Sequence, residues 1–366
     1  MVHFMNIHDL DTPALVIDLD KVERNLSLMA DYCRRHNLKL RPHTKTHKMP
    51  GLAKEQVKFG ASGITVAKVG EAEIMVEAGL DHLLIAYPIV GKTKAERLAA
   101  LCDRVDITVA LDSLESVEFL AKSTRDRGVK AGILVEVDVG FHRCGVQDDQ
   151  AALRLAEHIL DCPSLDFRGF LFYPGSYVTQ QTQEEQLAKV NASLERLLET
   201  FRTKRIPVNV VSGGSTPTAR FSHRFSGLTE IRPGTYIFND RNTLLHGATE
   251  SDGCAASVLV TVVSKAVPGK VIVDGGSKTF SSDPCLAGST GFGLIKEDPD
   301  AVFVAMNEEH GYLDISSSSR SYAVGGKLTI VPNHICATVN LHNEVYFARG
   351  ETVESVCPVA ARGRIR

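Results

Sequence analysis

Leu38-Lys39-Leu40-Arg41-Pro42-His43-Thr44-Lys45-Thr46-His47-Lys48 reads as a short strand that ends abruptly in a cluster of cations. Side chains alternate along a strand, so Leu38 and Leu40 share one face while Lys39, Arg41, His43 and Lys45 share the other. A lysine crowded by Arg41, His43, His47 and Lys48 has its ammonium form disfavoured, which is the condition for a nucleophilic amine that forms a Schiff base. A solvated basic turn at a strand end would carry the same residues, and the choice between the two readings rests on the rest of the chain.

Outward from this stretch, apolar runs alternate with amphipathic ones from about residue 20 to 240. Strands are expected at Leu38–Arg41, Gly63–Ala67, His82–Ala86, Asp106–Leu111, Ala131–Val137, Asp166–Phe172, Val208–Val211 and Thr229–Arg232. Helical stretches such as Lys21–Arg35, Gly70–Ala78, Leu114–Arg127 and Glu184–Lys204 separate them. That alternation predicts βαβ units and a parallel sheet, and eight such strands match a (β/α)8 TIM-type barrel with its active site at the C-terminal strand ends. From about residue 250 the runs become short and β-branched, at Val258–Val263, Val271–Val273, Val302–Ala305, Lys327–Val331, Ile335–Val339 and Val345–Ala348. They predict a C-terminal all-β domain. The expected fold class is therefore α/β, with a barrel over 20–245 and a β-domain over 246–366. Ala14–Asp18 would be a ninth strand, and so belongs elsewhere than the barrel.

Composition excludes several classes. The 366 residues are 43% hydrophobic and 23% charged with a formal charge of −3, so no basic footprint for nucleic acid is present. No apolar run approaches the roughly 20 residues that span a bilayer. No signal peptide is visible, and the eight cysteines include no C-x-x-C pair, which predicts reduced thiols in a cytoplasmic enzyme or binding protein.

Three further segments carry chemistry. Ser212-Gly213-Gly214-Ser215-Thr216 follows a strand and can turn its N–H groups and hydroxyls onto a phosphate, helped by a following helix dipole. A plain strand-to-helix turn has the same composition. Glu136 to Val146 ends another strand; Arg143 can hold a phenolate or carboxylate oxygen, with Asp138 orienting it. A structural Asp–Arg pair is the alternative. His334 and Cys336, two apart in a strand-like run, would share a face and suit zinc as a catalytic metal with open positions. A buried cysteine beside a surface histidine is the alternative. His310 reads as a turn histidine, and Tyr236 as a core residue with a hydroxyl that can reach a ligand.

Taken together, Asp11-Thr12-Pro13-Ala14-Leu15, the Arg41–Lys48 run, Glu136–Val146, Ser212–Thr216, Arg232-Pro233-Gly234-Thr235-Tyr236, Asn307-Glu308-Glu309-His310-Gly311 and Pro332-Asn333-His334-Ile335-Cys336 resemble a known family over nearly the whole chain. It is the D-threonine aldolase and D-serine dehydratase family, pyridoxal-phosphate enzymes of the alanine-racemase-like fold. The resemblance implies that Lys45 links the cofactor, that Arg143 contacts its O3′ oxygen, and that Ser212, Gly213, Gly214, Ser215 and Thr216 bind its phosphate, with Tyr236 beside it. Lys45, His43 and Tyr173 are the expected catalytic side chains. The resemblance also implies that His334 and Cys336 hold a divalent metal, with zinc favoured and manganese or magnesium as alternatives. It implies a homodimer, and it pairs residues 1–19 into the β-domain.

The expected substrate is a D-3-hydroxy amino acid, split by retro-aldol cleavage to glycine and an aldehyde. The alternative is a dehydratase that releases ammonia and a 2-oxo acid; an amino-acid racemase and a non-catalytic cofactor carrier stand further behind. Aldolases of the family carry a histidine in a Tyr-His-Gly-Ser-like segment. Here the matching segment is Tyr173-Pro174-Gly175-Ser176, and proline cannot act as a base. His142 or a metal-bound hydroxide are the substitutes. The H-x-C pair is nearer to the dehydratases, since aldolases often carry H-x-D.

Overall fold

The computed structural model describes residues 5–175, 180–286 and 288–366. The chain divides into two compact units. One comprises Met29–Lys45, Pro50–Gly234 and Gly363–Arg366; the other comprises Met1–Leu28, Thr46–Met49 and Thr235–Arg362.

The first unit is built on eight parallel strands: Lys39–Leu40, Ile64–Val66, His82–Ile85, Asp106–Leu111, Ala131–Val137, Leu165–Phe172, Val210–Gly213 and Glu230–Ile231. Their order around the sheet is their order in the chain, with Glu230–Ile231 lying between Val210–Gly213 and Lys39–Leu40. The remaining two edges meet where the Thr65 N–H donates to Pro42 O (2.8 Å) and His43 bridges Thr65, so the sheet closes on itself. Closure removes the unpaired edges that an open sheet would expose.

Alternation then sorts the strand residues. Ile133, Val135, Val137, Phe170 and Phe172 belong to the main apolar cluster with the helices, which include Leu114–Arg127 and Gln180–Thr203. Their neighbours Leu84, Ala110, Leu134 and Leu171 form a separate buried layer drawn from four adjacent strands, as barrel interiors are filled. Two residues further along those strands, period two brings Asp112, Glu136 and Tyr173 above that apolar floor. The sequence therefore switches from leucine and alanine to ionisable groups at the end of the barrel where this fold gathers chemistry.

The second unit is a ten-stranded, mostly antiparallel sheet system. Ala14–Asp18 does not enter the barrel: its residues pair antiparallel with Ala256–Leu259 and parallel with Tyr346–Ala348. The strand expected at Ile335–Val339 is instead the helix Ile335–Leu341. Its β-branched residues mimic a strand, but Ile335, Thr338 and Val339 are the buried ones, and that i, i+3, i+4 spacing is helical. Strands at Gly293–Ile295, Gly311–Asp314 and Thr352–Pro358 are additional to those expected. Among the described residues no helix is long and apolar enough to cross a membrane.

Candidate active site

Lys45 stands in a 3-10 turn, Thr44–Thr46, just beyond the first barrel strand. It is the one exposed residue between positions 42 and 49, and its amine has no hydrogen-bond or ion-pair partner among the described residues. Its backbone is held: the Lys45 N–H donates to His43 Nδ1 (3.3 Å), and Thr44 Oγ1 donates to Thr65 O (3.1 Å). The simple alternation expected for the cations does not persist beyond Leu40. Arg41 turns to Glu230, Nε to Oε2 at 3.0 Å, and His43 is buried.

Below the rim, buried charges form a connected group. Ser212 Oγ donates to Glu230 Oε1 (2.6 Å) and accepts from Arg232 Nη1 (2.6 Å), while Arg232 Nη2 donates to Phe172 O (3.0 Å). Burial depresses the Arg232 guanidinium to about 10 against the pull of Glu230 and Glu136. Burial also raises the Glu136 carboxyl, with Arg232 and Arg143 opposing. Ser212 was expected among the phosphate ligands; its hydroxyl is instead committed to this network.

The turn that follows is tight, and its Ser215 donors are likewise engaged within the protein. Gly214 has φ +88°, a left-handed conformation that side chains resist, and Gly213 allows no Cβ because the Phe172 ring would lie 2.2 Å from it. The Ser215 N–H donates to Thr218 Oγ1 (2.8 Å) and Ser215 Oγ donates to Gly175 O (3.2 Å). The expected helix beyond is only the six-residue 3-10 turn Ala219–Arg224.

Arg143 lies on the loop after Ala131–Val137, its guanidinium 4.8 Å from the Tyr173 ring centroid and 5.4 Å from that of Phe141. Asp138 does not orient it. Asp138 Oδ1 accepts the N–H groups of Gly140, Phe141 and His142 (2.9–3.0 Å), and Oδ2 meets His142 Nδ1 at 2.8 Å. Burial works against the charged Asp138, but these donors outweigh it and hold its carboxyl below the usual range. Asp112 Oδ2 accepts the Gly145 N–H (2.9 Å) and so fixes the other end of the loop. The half-buried Tyr173 meets Phe141 edge-on, with ring centroids 4.8 Å apart. Pro174 and Gly175 are buried, whereas Ser176 lies outside the described residues.

Sequence reasoning did not single out Lys68, whose Nζ sits 3.2 Å from the Tyr87 ring centroid at the next two strand ends. Asp112, Glu230 and the structural role of Arg232 were missed as well. The usable signal was positional: each is a polar residue within two positions of the C-terminal end of an apolar strand.

The second unit carries the expected ligand pair. His334 is the N-cap of Ile335–Leu341, in extended conformation, and Cys336 sits in that helix's first turn. Their side chains interact across the start of that helix, and not through a shared strand face. The segment is pinned on both sides. Asp240 Oδ2 accepts the Ile335 N–H (3.0 Å), and Asn333 Nδ2 donates to Gly291 O (2.8 Å). His334 Nδ1 meets Asp283 Oδ2 at 2.5 Å, while Cys336 Sγ lies 3.1 Å from Thr46 Oγ1 and 3.5 Å from Thr235 Oγ1. Burial would depress the His334 imidazole, but Cys336, Asp240 and Asp283 outweigh it and hold it at about 10. Among the described residues no three His, Cys, Asp or Glu side chains gather as a ready metal cage. An imidazole with one nitrogen fixed by a carboxylate, beside a thiol, is nonetheless a donor set that fits a divalent metal completed by water or substrate. Tyr236 is buried in the 3-10 turn Thr235–Ile237 of this unit, and His310 lies exposed in the turn between Val302–Met306 and Gly311–Asp314.

This combination defines a class. Residues 17–242 match the alanine racemase N-terminal domain, and residues 255–348 match the serine dehydratase domain. The chain is 36% identical over 365 residues to a D-threonine aldolase of Arthrobacter sp., covering 97% of this chain and 93% of that one. The crystal structure of D-threonine aldolase from Filomicrobium marinum superposes with a TM-score of 0.92 at 31% identity, covering 99% of each chain. A cysteine-to-alanine variant of D-threo-3-hydroxyaspartate dehydratase in its metal-free form superposes at 0.88 with 30% identity, covering 97% of this chain and 99% of that one. The chain belongs to the D-threonine aldolase and D-serine dehydratase family of the alanine-racemase-like fold, and it is a pyridoxal-phosphate-dependent lyase.

Proposed function

We propose that the protein cleaves D-3-hydroxy amino acids of the D-threonine type to glycine and an aldehyde. The observation that carries the reading is the exposed Lys45 amine, without a partner among the described residues, on a hydrogen-bonded backbone turn at the end of the first barrel strand of a chain that resembles a D-threonine aldolase along its length. Lys45 would hold the cofactor covalently, Gly214, Ser215 and Thr216 its phosphate, and Arg143 its ring oxygen, with Tyr236 completing the set. Pyridoxal phosphate supplies an electron sink for the bond that breaks at the α-carbon. His334 and Cys336 would hold a divalent metal, zinc by the softness of the thiolate, and polarise the substrate hydroxyl. A homodimer is part of this reading, as the resemblance implies.

Cleavage needs a group that takes the hydroxyl proton. His142 suits that task. Its Nδ1 is anchored on Asp138, whose side chain is only 2% exposed, while the imidazole itself is 77% exposed and presents Nε2 outward. Its neighbours Phe141 and Arg143 both pack on Tyr173, and Phe141 also lies against Gly175, so the loop covers the segment that holds Pro174. His43 is a weaker candidate because it is buried and its Nδ1 accepts the Lys45 N–H. His142→Asn is expected to lower kcat for D-threonine cleavage by about 10²–10⁴-fold, the usual worth of a positioned acid–base group, with the cofactor absorbance intact. An unchanged kcat and pH profile would remove His142 from the reaction.

The dehydratase reading keeps one specific support, the thiolate of the H-x-C pair together with likeness to a dehydratase across the chain. In that case the metal would assist departure of the hydroxyl, and the products would be ammonia and a 2-oxo acid.

A further inference from the structure

We infer that Asp283 and Thr235, with Thr46, form the outer shell of the His334–Cys336 metal site and tune its two ligands in opposite directions. The inference rests on the metal reading proposed above and concerns residues to which that reading gives no role.

Asp283 acts on the imidazole. Its Oδ2 lies 2.5 Å from His334 Nδ1, so the Nδ1–H donates to the carboxylate and Nε2 is the nitrogen that would face a metal once its proton is displaced. A carboxylate behind a ligating imidazole fixes its tautomer and ring orientation and makes it a stronger donor. The pairing is built into the backbone. Asp283 O accepts from Asn333 Nδ2 (3.2 Å), and the Asp283 N–H donates to Ser281 Oγ (3.2 Å). The residue immediately before the ligand thus holds the loop that carries its partner.

Thr46 and Thr235 act on the sulfur. Their hydroxyls lie 3.1 and 3.5 Å from Cys336 Sγ. A metal-bound thiolate has no proton, so both contacts can only run from hydroxyl to sulfur. Donated hydrogen bonds withdraw electron density from the thiolate. They weaken it as a ligand and raise the energy at which it transfers charge to a metal. Asp283 is therefore a positioning residue that raises metal affinity, and the two threonines lower it. Thr46 follows the cofactor lysine directly in the chain, which makes Thr235 the residue to alter.

The test uses metal-stripped enzyme that retains its cofactor, titrated with Co²⁺ and followed by difference absorbance, with dissociation constants measured by chelator competition. Wild type should develop a thiolate-to-cobalt charge-transfer band. Asp283→Ala should raise the Co²⁺ dissociation constant by about 10–100-fold, with the cofactor band unchanged as proof of folding. Asp283→Asn, which keeps an acceptor oxygen without the charge, should fall between the two. Thr235→Val should move the charge-transfer band to lower energy and tighten binding. Unchanged affinity in both Asp283 variants, or an unshifted band in Thr235→Val, would overturn the inference. Absence of any thiolate band in wild type would instead overturn the metal reading on which it rests.

Discussion

The rim of the barrel and the His334–Cys336 segment both concentrate reactive side chains, but they are assembled by different means. On the rim, each group follows its own strand: Lys45 after Lys39–Leu40, Glu136 within Ala131–Val137, Tyr173 after Leu165–Phe172, Ser212 within Val210–Gly213. Period two and a strand end suffice to place them. The ligand pair lies two residues apart in sequence, yet its surroundings come from Thr46, Thr235, Asp240 and Asp283, which share no periodic pattern with it. A site made by parallel repetition is legible along the chain; a site made by convergence is legible only in its ligands.

Four experiments sharpen that contrast, beginning with the largest expected effect. Lys45→Ala should abolish both activity and the lysine-linked visible absorbance of the cofactor. A retained band would assign the linkage to another lysine. Chelation, or Cys336→Ala, should remove activity while leaving that band in place, because the two groups of residues serve different ligands. Normal turnover after exhaustive chelation would separate the H-x-C pair from the reaction.

Gly213→Ala should cost about 1–3 kcal/mol by overpacking against Phe172, which is fully buried, and should weaken cofactor binding through the adjoining turn. A melting temperature and cofactor affinity both equal to wild type would mean that the turn relaxes freely.

The smallest effect concerns the rim loop. The Asp138 carboxyl is held low by the donors around it, so its folded-state pKa lies below its unfolded value. Its stabilising contribution is fully present above the unfolded carboxylate pKa of about 3.9, and is lost as pH falls through the folded value. Hydrogen-exchange protection of residues 140–145, relative to the intrinsic rate at each pH, should therefore fall in acid, and Asp138→Asn should remove most of that pH dependence. Equal slopes in the two proteins would show that another group controls the loop.

Most of the barrel was legible because strand and helix alternate along it, and Asp106–Leu111, Ala131–Val137 and Leu114–Arg127 fall where the sequence predicts them. The misreadings have physical causes. Ile335–Val339 is β-branched but buries every third and fourth residue, and the helical period prevails over strand propensity. Ser212 is a different case: its hydroxyl is bonded to Glu230 and Arg232, partners that the glycine-rich motif alone does not reveal. Asp138 precedes Arg143 in a polar loop, but the nearest donors are the loop's own N–H groups. At Ser212 the partners come from a neighbouring strand, whereas at Asp138 they are N–H groups nearer in sequence than Arg143.

The most direct measurement is the product analysis of purified enzyme, loaded with pyridoxal phosphate and a divalent metal, acting on D-threonine. The account predicts glycine and acetaldehyde in equal amounts. Formation of 2-oxobutyrate and ammonia would contradict it and make the protein a dehydratase.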